Sequence, residues 1–503
     1  MKTAPLDLLL VNPGSRARLY QTLGASLTAV ENPVWAGLIA TFVRQQGFSV
    51  QVLDAEAEQL TPDETATRVA ELGPRLVTIV AYGHQPSAST QNMTGASAIA
   101  TALKQQSPQT PVLMLGGHVA ALPERTLAEE RCDYVMRDEG LYGLVDLLGA
   151  LRATADPDLA AIRGLVYRQG AGVASNPAAP LVANLDREMP GSAWDLLPMH
   201  RYRAHNWHCF GHLQREPYAA IYTTLGCPYR CSFCCIQAPF KDGEAASGIG
   251  ANVNSYRFWT PARVIEEIDL LVRTYGVRNI KFADEMFVLN PRHVAGICDR
   301  IIERGYDLNI WAYARIDTVK DAMLEKLRRA GFTWLAFGIE AANEKVLADV
   351  DKRYHVDRVY DTVRKVQAAG INVIGNYIFG LPEDTAETME QTLRLALDLQ
   401  CEFANFYTAM AYPGSPLYRQ ALDQGWALPE TWSGYSQHAV DTLPLPTRYL
   451  CAGEVLQFRD RAFDLYFTNP DYLQSIRRKF GEDTVAHIRE MTLHRLERLH
   501  AAD

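Results

Sequence analysis

Two blocks of alternating strand and helix patterns, separated by a proline-rich stretch, most constrain how this chain folds. In residues 1–153, aliphatic runs at 50–54, 76–81 and 112–115 alternate with longer amphipathic stretches. Such alternation predicts a parallel sheet covered by helices. We therefore expect an α/β, doubly wound, Rossmann-like sheet of five strands, which would bind its ligand at the carboxyl ends of the strands.

The second block, residues 219–424, contains six further strand patterns, each followed by a helical pattern except the last. Consecutive βα units predict a partial (βα)6 barrel or another open sheet, with its chemistry at the strand ends. Prolines and glycines between the blocks predict a linker with a small hairpin over residues 154–218. Residues 425–503 are aromatic and are predicted to form a helical C-terminal domain that closes over the barrel mouth.

Composition limits the classes of partner. The formal net charge of −9 and the 48% hydrophobic content are typical of a globular protein and disfavour nucleic acid as a partner. No run reaches the 18 or so apolar residues of a membrane span, and the first residues lack the pattern of a secretory leader. We therefore expect a cytoplasmic protein that acts on a small molecule and has no membrane partner.

Four of the nine cysteines fall within nine positions: Cys227, Cys231, Cys234 and Cys235. An odd number of cysteines disfavours a disulfide framework and indicates a metal site. Zinc sites usually have four protein ligands, whereas three thiolates on a 4Fe–4S cube leave one iron for an amine and a carboxylate of a small molecule. Two alternatives remain, a zinc loop completed by Cys235 or a histidine, and thiols that only fill the core.

The spacing of Cys227, Cys231 and Cys234, with Phe233 before the last of them, resembles the radical S-adenosylmethionine (SAM) superfamily. Strand-end segments at 284–287, 311–317, 337–340 and 379–385 resemble that family's motifs in the family's order, so the resemblance covers about residues 219–416. It implies a six-stranded partial barrel, a 4Fe–4S cluster held by the three cysteines, and SAM at the open iron.

Further SAM contacts are expected at the ends of the later barrel strands. Arg315 could bind the SAM carboxylate, and Glu340 could accept from its amine or ribose, although each could instead form a structural ion pair. The remaining candidate contacts are Phe233, Asn376 and Gly380. Catalytic acids and bases are unassigned, and Asp284 and Glu285 are read as substrate-side or packing residues.

In front of such a barrel, the first block resembles the cobalamin-binding domain of cobalamin-dependent radical SAM enzymes. Loop residues at the strand ends carry this resemblance, and the candidate cobalamin contacts are Asn12, Gly83, Ser87, Gly116, Gly117, His118 and Glu139. No histidine precedes His84, so the loop after the first strand cannot supply the cobalt-ligating histidine of an Asp-x-His-x-x-Gly motif. Either cobalamin binds without a histidine on its lower face, or the domain has lost cobalamin.

The resemblance implies a methyltransferase that passes a methyl group through methylcobalamin to an unactivated carbon, after hydrogen abstraction by the 5′-deoxyadenosyl radical. It also implies an electron donor such as flavodoxin or ferredoxin. The same layout occurs in oxidative cyclases and in ring-forming or rearranging enzymes, which is the first alternative. A non-catalytic cobalamin or metal-binding sensor module is the second.

Overall fold

The computed structural model describes residues 6–24, 28–154, 156–211 and 213–501. A seven-stranded sheet forms the first region, with strand order β2-β1-β3-β4-β5-β6-β7. Its strands are β1 Leu8–Asn12, β2 Val50–Asp54, β3 Leu76–Val80, β4 Val112–Leu115, β5 Tyr134–Met136, β6 Leu165–Gln169 and β7 Gly172–Ser175. Its helices are α1 Arg16–Leu19, α2 Val34–Gln45, α3 Pro62–Leu72, α4 Ala88–Gln106, α5 Gly117–Ala121, α6 Pro123–Glu129 and α7 Leu141–Ala153, and α8 Leu185–Glu188 follows the sheet.

The first five strands are parallel, as predicted, and β1 and β3 are buried along their whole length. Burial on both faces accounts for their nearly continuous aliphatic sequences. The predicted hairpin also forms, but it is part of the sheet rather than of a linker. Its first strand pairs antiparallel with β5, with Tyr167 opposite Tyr134.

A second, six-stranded parallel sheet has the order β15-β14-β13-β12-β11-β8. Its strands are β8 Tyr218–Ile221, β11 Asn279–Phe282, β12 Asn309–Ala314, β13 Phe332–Glu340, β14 Asn372–Phe379 and β15 Phe403–Thr408, while β9 Thr224–Gly226 and β10 Tyr256–Phe258 form a separate antiparallel pair. The helices of this region are α9 Lys241–Ala246, α10 Pro261–Tyr275, α11 Pro291–Arg304, α12 Asp321–Arg329, α13 Glu344–Asp349, α14 Asp357–Ala368, α15 Ala386–Leu399 and α16 Pro416–Gln424. The six predicted barrel strands are thus present in chain order.

The first barrel strand is shorter than predicted. The predicted strand over 220–224 is divided because the backbone N–H and hydroxyl of Thr223 both donate to Asp284 rather than continuing the ladder. Helix starts follow the sequence closely: Thr260 and Asn290 each cap a helix that begins with proline, and glycines in the left-handed conformation end both helices.

The C-terminal region is helical only from residue 452, with α17 Ala452–Phe467, α18 Pro470–Phe480 and α19 Glu482–Leu493. Residues 425–451 form an irregular segment with one short 3-10 turn, Ser433–Tyr435. Within the described residues, no helix is long and apolar enough to span a membrane.

One hydrophobic core extends from a face of the first sheet into the barrel. Trp35 of α2 belongs to this core and stacks on Tyr82 at 4.3 Å between ring centroids. Beside it, buried Asn32 pairs with the barrel's edge strand, accepting from the Ala220 N–H at 2.7 Å and donating to its carbonyl at 3.0 Å. This contact satisfies backbone groups that would otherwise be unpaired at the strand edge.

Candidate active site

A cavity of about 250 Å³ lies at the carboxyl ends of the barrel strands. Its walls come from the cysteine loop after β9, from the ends of β11 to β15, and from residues 85–87, which follow β3 of the first sheet. The strand ends of both sheets therefore contribute to one site, as the parallel topology of each block predicts.

The thiols of Cys227, Cys231, Cys234 and Cys235 all line this cavity, and none forms a disulfide. In the described ranges, no three histidine, cysteine or acidic side chains converge as ligands of a single metal ion. Burial raises the pKa of the Cys227 thiol to about 12, so its thiolate form needs nearby positive charge.

Arg315, at the end of β12, is a cation in contact with one of these thiols. Its Nη1 donates to the Cys231 Sγ at 3.7 Å, and its guanidinium lies 4.0 Å from the ring centroid of Tyr229. Its Nε and Nη2 donate to the two oxygens of Asp317 at 3.0 and 3.2 Å. Because Asp317 occupies one edge of the guanidinium, Arg315 offers Nη1 rather than a free fork to a ligand.

Glu340, at the end of β13, also lines the cavity and forms a buried ion pair with Lys352. Its backbone has a φ of +60°, a conformation that non-glycine residues rarely adopt. Strained residues of this kind are concentrated at functional sites. Sequence reasoning missed Lys352, because it lies in a loop twelve residues after its partner and no local motif marks it.

Of the other three predicted SAM contacts, two line the cavity and one is packed against α17. Phe233 and Asn376 line the cavity, and Asn376 donates to the Phe337 carbonyl at 3.1 Å. Gly380 does not line it. A Cβ on this glycine would lie 2.4 Å from the Cγ1 of Val455, so its small size serves the packing of α17 on the barrel.

The two acids after β11 have different surroundings. Asp284 is buried and accepts from Thr223 and Thr224, and burial raises its pKa to about 6. Glu285 lines the cavity, its Oε1 is buried without a hydrogen-bond partner among the described residues, and burial raises its pKa to about 8. Asp284 thus orders the first barrel loop, whereas Glu285 is available to a ligand.

The predicted cobalamin contacts lie at the strand ends of the first sheet, but they do not share one surface. Asn12, Gly83, Ser87 and Gly117 line cavities between the sheets. Asn12 also donates to Asp54 at 2.8 Å. Gly83 and Gly117 belong to a narrow gap of about 40 Å³ that the barrel closes with Tyr222.

Three of these predictions fall on packed positions instead. Glu139 is buried against Arg257, with 2.7 Å between the Oε1 and Nη2 atoms, so its carboxylate joins the two regions. His118 packs edge to face against Trp432, and its Nδ1 lies 3.2 Å from the Thr90 hydroxyl. Its Nε2 is buried without a hydrogen-bond partner among the described residues, and burial lowers its pKa to about 3.

Gly116 is the third. It has a φ of +154°, and a Cβ there would lie 2.3 Å from the carbonyl oxygen of Ala81. The close approach of two backbones explains this glycine without any ligand.

His84 is also engaged by protein. Its Nε2 lies 2.6 Å from the Asn32 carbonyl oxygen, and its Nδ1 lies 3.3 Å from Glu31. Both ring nitrogens thus face protein groups in the described structure.

Comparisons with known proteins agree with this two-part architecture. Residues 221–396 match the radical SAM superfamily, and residues 20–148 match the B12 binding domain. The chain is 28% identical to an uncharacterized methyltransferase of Pyrococcus horikoshii over 93% of this chain and 94% of that protein. It is 27% identical to the anaerobic magnesium-protoporphyrin IX monomethyl ester cyclase of Cereibacter sphaeroides over 87% of this chain and 67% of that protein.

Two solved structures share the fold. The radical SAM methyltransferase TsrM of Kitasatospora setae, with cobalamin and a [4Fe-4S] cluster bound, has a TM-score of 0.65 at 17% identity, covering 97% of this chain and all of that one. The cobalamin-dependent SAM radical enzyme OxsB, with aqua-cobalamin and SAM bound, has a TM-score of 0.70 at 14% identity, covering 97% of this chain and 72% of that one. The chain thus carries a B12 binding domain followed by a radical SAM domain.

Proposed function

We propose that this protein is a cobalamin-dependent radical SAM methyltransferase that methylates an unactivated carbon of a small molecule. The observation that carries the proposal is the single cavity in which three motif cysteines meet Arg315, Glu340 and the loop from the B12 binding domain. The related methyltransferase, aligned over nearly its whole length, supports the same reaction class.

In this proposal, Cys227, Cys231 and Cys234 hold the cluster. The bound cofactors supply the radical and the methyl group, which allows methylation of a carbon that is not a nucleophile. Arg315 places positive charge beside Cys231 and offers Nη1 to the SAM carboxylate. In this proposal, Cys235 lines the cavity and is not a cluster ligand.

Glu340 and Lys352 act as a fixed pair in the proposed SAM site. The carboxylate of Glu340 accepts from the SAM amine or ribose, while the ion pair with Lys352 holds that carboxylate in its orientation. Phe233 and Asn376 form the adjoining wall. Gly380 lies outside the cavity, where it packs on Val455.

For cobalamin, we retain Asn12, Gly83, Ser87 and Gly117 as proposed contacts, since these residues line cavities. A substituent would narrow the gap at Gly83, where a Cβ would lie 2.3 Å from that of Ala88. Reduction of the cluster requires an electron, so an electron donor such as flavodoxin or ferredoxin is part of the proposal.

The test is anaerobic reconstitution with iron, sulfide, cobalamin, SAM and a reductant. A methyltransferase should release S-adenosylhomocysteine, in an amount at least equal to bound cobalamin, together with 5′-deoxyadenosine. The match to the protoporphyrin ester cyclase favours an oxidative cyclase as the second candidate, and 5′-deoxyadenosine without S-adenosylhomocysteine would support it. Formation of neither product would refute both functions.

A further inference from the structure

A second chamber, of about 330 Å³, adjoins the active-site cavity on the inner side of the barrel. The two share part of their walls, so a molecule held in the chamber lies directly beside the cysteine cavity. The shared residues are Gln85, Ser87, Tyr313, Asn376, Tyr407, Tyr412 and Gln437. Gln85 of the B12 binding domain donates to the Tyr313 hydroxyl at 2.5 Å, which closes this wall between the two regions.

Aromatic rings form much of the chamber. Trp207 and Trp311 meet edge to face at 5.1 Å between centroids, and Tyr313 packs against Trp311 at 5.0 Å. Tyr407 and Phe463 also line the chamber, and the Arg459 guanidinium lies 5.6 Å from the ring centroid of Phe463. Walls of this kind favour a ligand with a flat or ring-shaped apolar body.

At one end of the chamber, the charges compensate each other. Glu31 accepts from Lys281 at 3.1 Å and from the Tyr218 hydroxyl at 2.6 Å, and His84 lies 3.3 Å away. Interactions with these neighbours hold the pKa of Glu31 well below its usual range, against the opposing effect of burial. Because the Glu31 carboxylate already accepts from these groups, this end of the chamber has no uncompensated charge for a ligand to neutralise.

The other end carries excess positive charge. Arg459 of α17 lines the chamber, and its side chain is only 7% exposed. Its Nε donates to the Phe406 carbonyl at 2.8 Å and its Nη1 to Asp460 at 2.7 Å. Asp460 is shared, because Arg498 also donates to it through Nε and Nη2 at 2.9 and 3.0 Å. Two guanidinium groups thus depend on one carboxylate.

The Nη2 of Arg459 has no hydrogen-bond partner among the described residues. Burial lowers the pKa of Arg459, which indicates that its charge is costly at this position. Burial lowers the pKa of the neighbouring His438 to about 3, so its ring is neutral and does not compensate the charge of either arginine. A buried cation with an unused donor is stabilised by an anionic ligand.

Resting on the proposed function, we propose that the chamber binds the substrate through an anionic group, a carboxylate or a phosphate, at Arg459. The ring-shaped body of the substrate lies against the aromatic walls of the chamber, which include Trp207, Trp311 and Tyr407. Arg459 is then a specificity-determining residue, which selects acids over neutral molecules. Its bonds to Phe406 and Asp460 fix the guanidinium and leave Nη2 for the substrate.

The test measures binding by calorimetry to the full-length protein, without SAM or reductant. The probes are naphthalene carboxylate, its neutral carboxamide, and naphthyl phosphate. A charge-assisted hydrogen bond in a buried site predicts that one anion binds at least about tenfold more tightly than the carboxamide. Whichever anion shows the preference identifies the group that the chamber accepts.

Arg459→Gln should remove this preference, and Arg459→Lys should retain part of it. Arg461→Gln is the matched control, because Arg461 lies on the same helix, is exposed and pairs with Glu390. The wild-type comparison of acid with amide needs no variant, so a folding defect in Arg459→Gln does not prevent the test. Equal binding of acid and amide, or no binding of either anion, would overturn the proposal.

Failure of SAM cleavage would refute the proposed function but leave this binding result standing. Loss of the anion preference with intact SAM cleavage would refute only the assignment of the chamber.

Discussion

The strand ends of the barrel and those of the first sheet meet across one site, but they present different chemistry. The barrel directs side chains into the cavity, including the motif thiols, Arg315 and Glu340. The first sheet contributes residues 85–87 to this cavity, and its glycines Gly83 and Gly117 line a separate, narrow gap beside the barrel. Its acidic candidate, Glu139, is used in an ion pair with Arg257. The barrel therefore supplies the reactive and charged side chains, whereas the first sheet supplies mainly small residues and backbone groups.

The thiols that the barrel places in the cavity give the first test. Two cysteines of the same loop should differ in whether their loss removes the cluster. Cys231→Ala should abolish the visible absorbance of the reconstituted cluster and SAM cleavage with it, because a cube with two protein thiolates is not retained. Cys235→Ala should keep the absorbance, although its thiol lines the same cavity. Iron and sulfide content, with optical spectra, measure both.

The exposed Cys451 gives a control without any site role, as Cys451→Ala. A cluster retained in Cys231→Ala but lost in Cys235→Ala would show that the ligand set is wrong. Loss in both variants would instead indicate a cavity that tolerates no change of volume.

The buried pair of Glu340 and Lys352 allows the second test in the barrel. Lys352→Met should lower the free energy of unfolding by about 4 kcal/mol, because it leaves the Glu340 carboxylate buried without a counter-ion. It should also weaken SAM binding. Chemical denaturation and SAM titration measure the two effects.

The double variant Glu340→Gln/Lys352→Met separates stability from function. It should recover much of the lost stability, since no uncompensated charge remains, while SAM binding stays weak. Full recovery of SAM affinity would contradict the proposed role of Glu340.

These two regions also differ in how well the sequence predicts them. The barrel motifs predicted a site because βα geometry brings the residues after successive strands together, and Cys227, Arg315 and Glu340 do share a cavity. Gly380 lies outside that cavity, since a glycine at a strand end serves equally for packing, here against Val455. Lys352 was missed because its pairing with Glu340 is a property of the folded loop.

In the first sheet, the fold was predicted better than the contacts. The strand periodicity gave all five parallel strands, but the hairpin's pairing with β5 depends on an antiparallel register that no local pattern marks. The sequence does not show whether a glycine or histidine that follows a strand faces a ligand or the protein interior. Gly116 and His118 therefore could not be distinguished from Gly117, which lines a cavity.

A third test addresses this packing role of glycine. Gly116→Ala should cost about 3 kcal/mol in the free energy of unfolding, because the new Cβ meets the Ala81 carbonyl oxygen and the φ of +154° disfavours alanine. Gly149→Ala is the matched control, since a Cβ there has nothing within 4 Å, and it should raise stability by about 0.5 kcal/mol. Urea unfolding measures both changes. A Gly116→Ala variant with an unchanged free energy of unfolding would show that packing does not require this glycine, and the loop after β4 would again be a candidate ligand contact.

The two regions resemble each other in one respect, a buried carboxyl group near a strand end. Asp54 accepts from Asn12, the Ala57 N–H and the Tyr202 hydroxyl, and burial raises its pKa to about 6. Asp384 of the barrel accepts from the N–H groups of Gly380 and Leu381, and burial likewise raises its pKa to about 6.

The smallest expected effect is the pH dependence that these carboxyls give to stability. In the unfolded chain, Asp54 loses its proton near pH 4, as aspartates ordinarily do, whereas the folded protein holds it up to about pH 6. The folded state then binds more protons between these values, so the stability that Asp54 contributes falls as the pH rises. The free energy of unfolding of wild type minus that of Asp54→Asn should therefore fall by about 2 kcal/mol from pH 4 to pH 7. Asp384→Asn should show the same sign, and a difference that grows with pH in either region would mean that its hydrogen bonds stabilise the carboxylate more than burial opposes it.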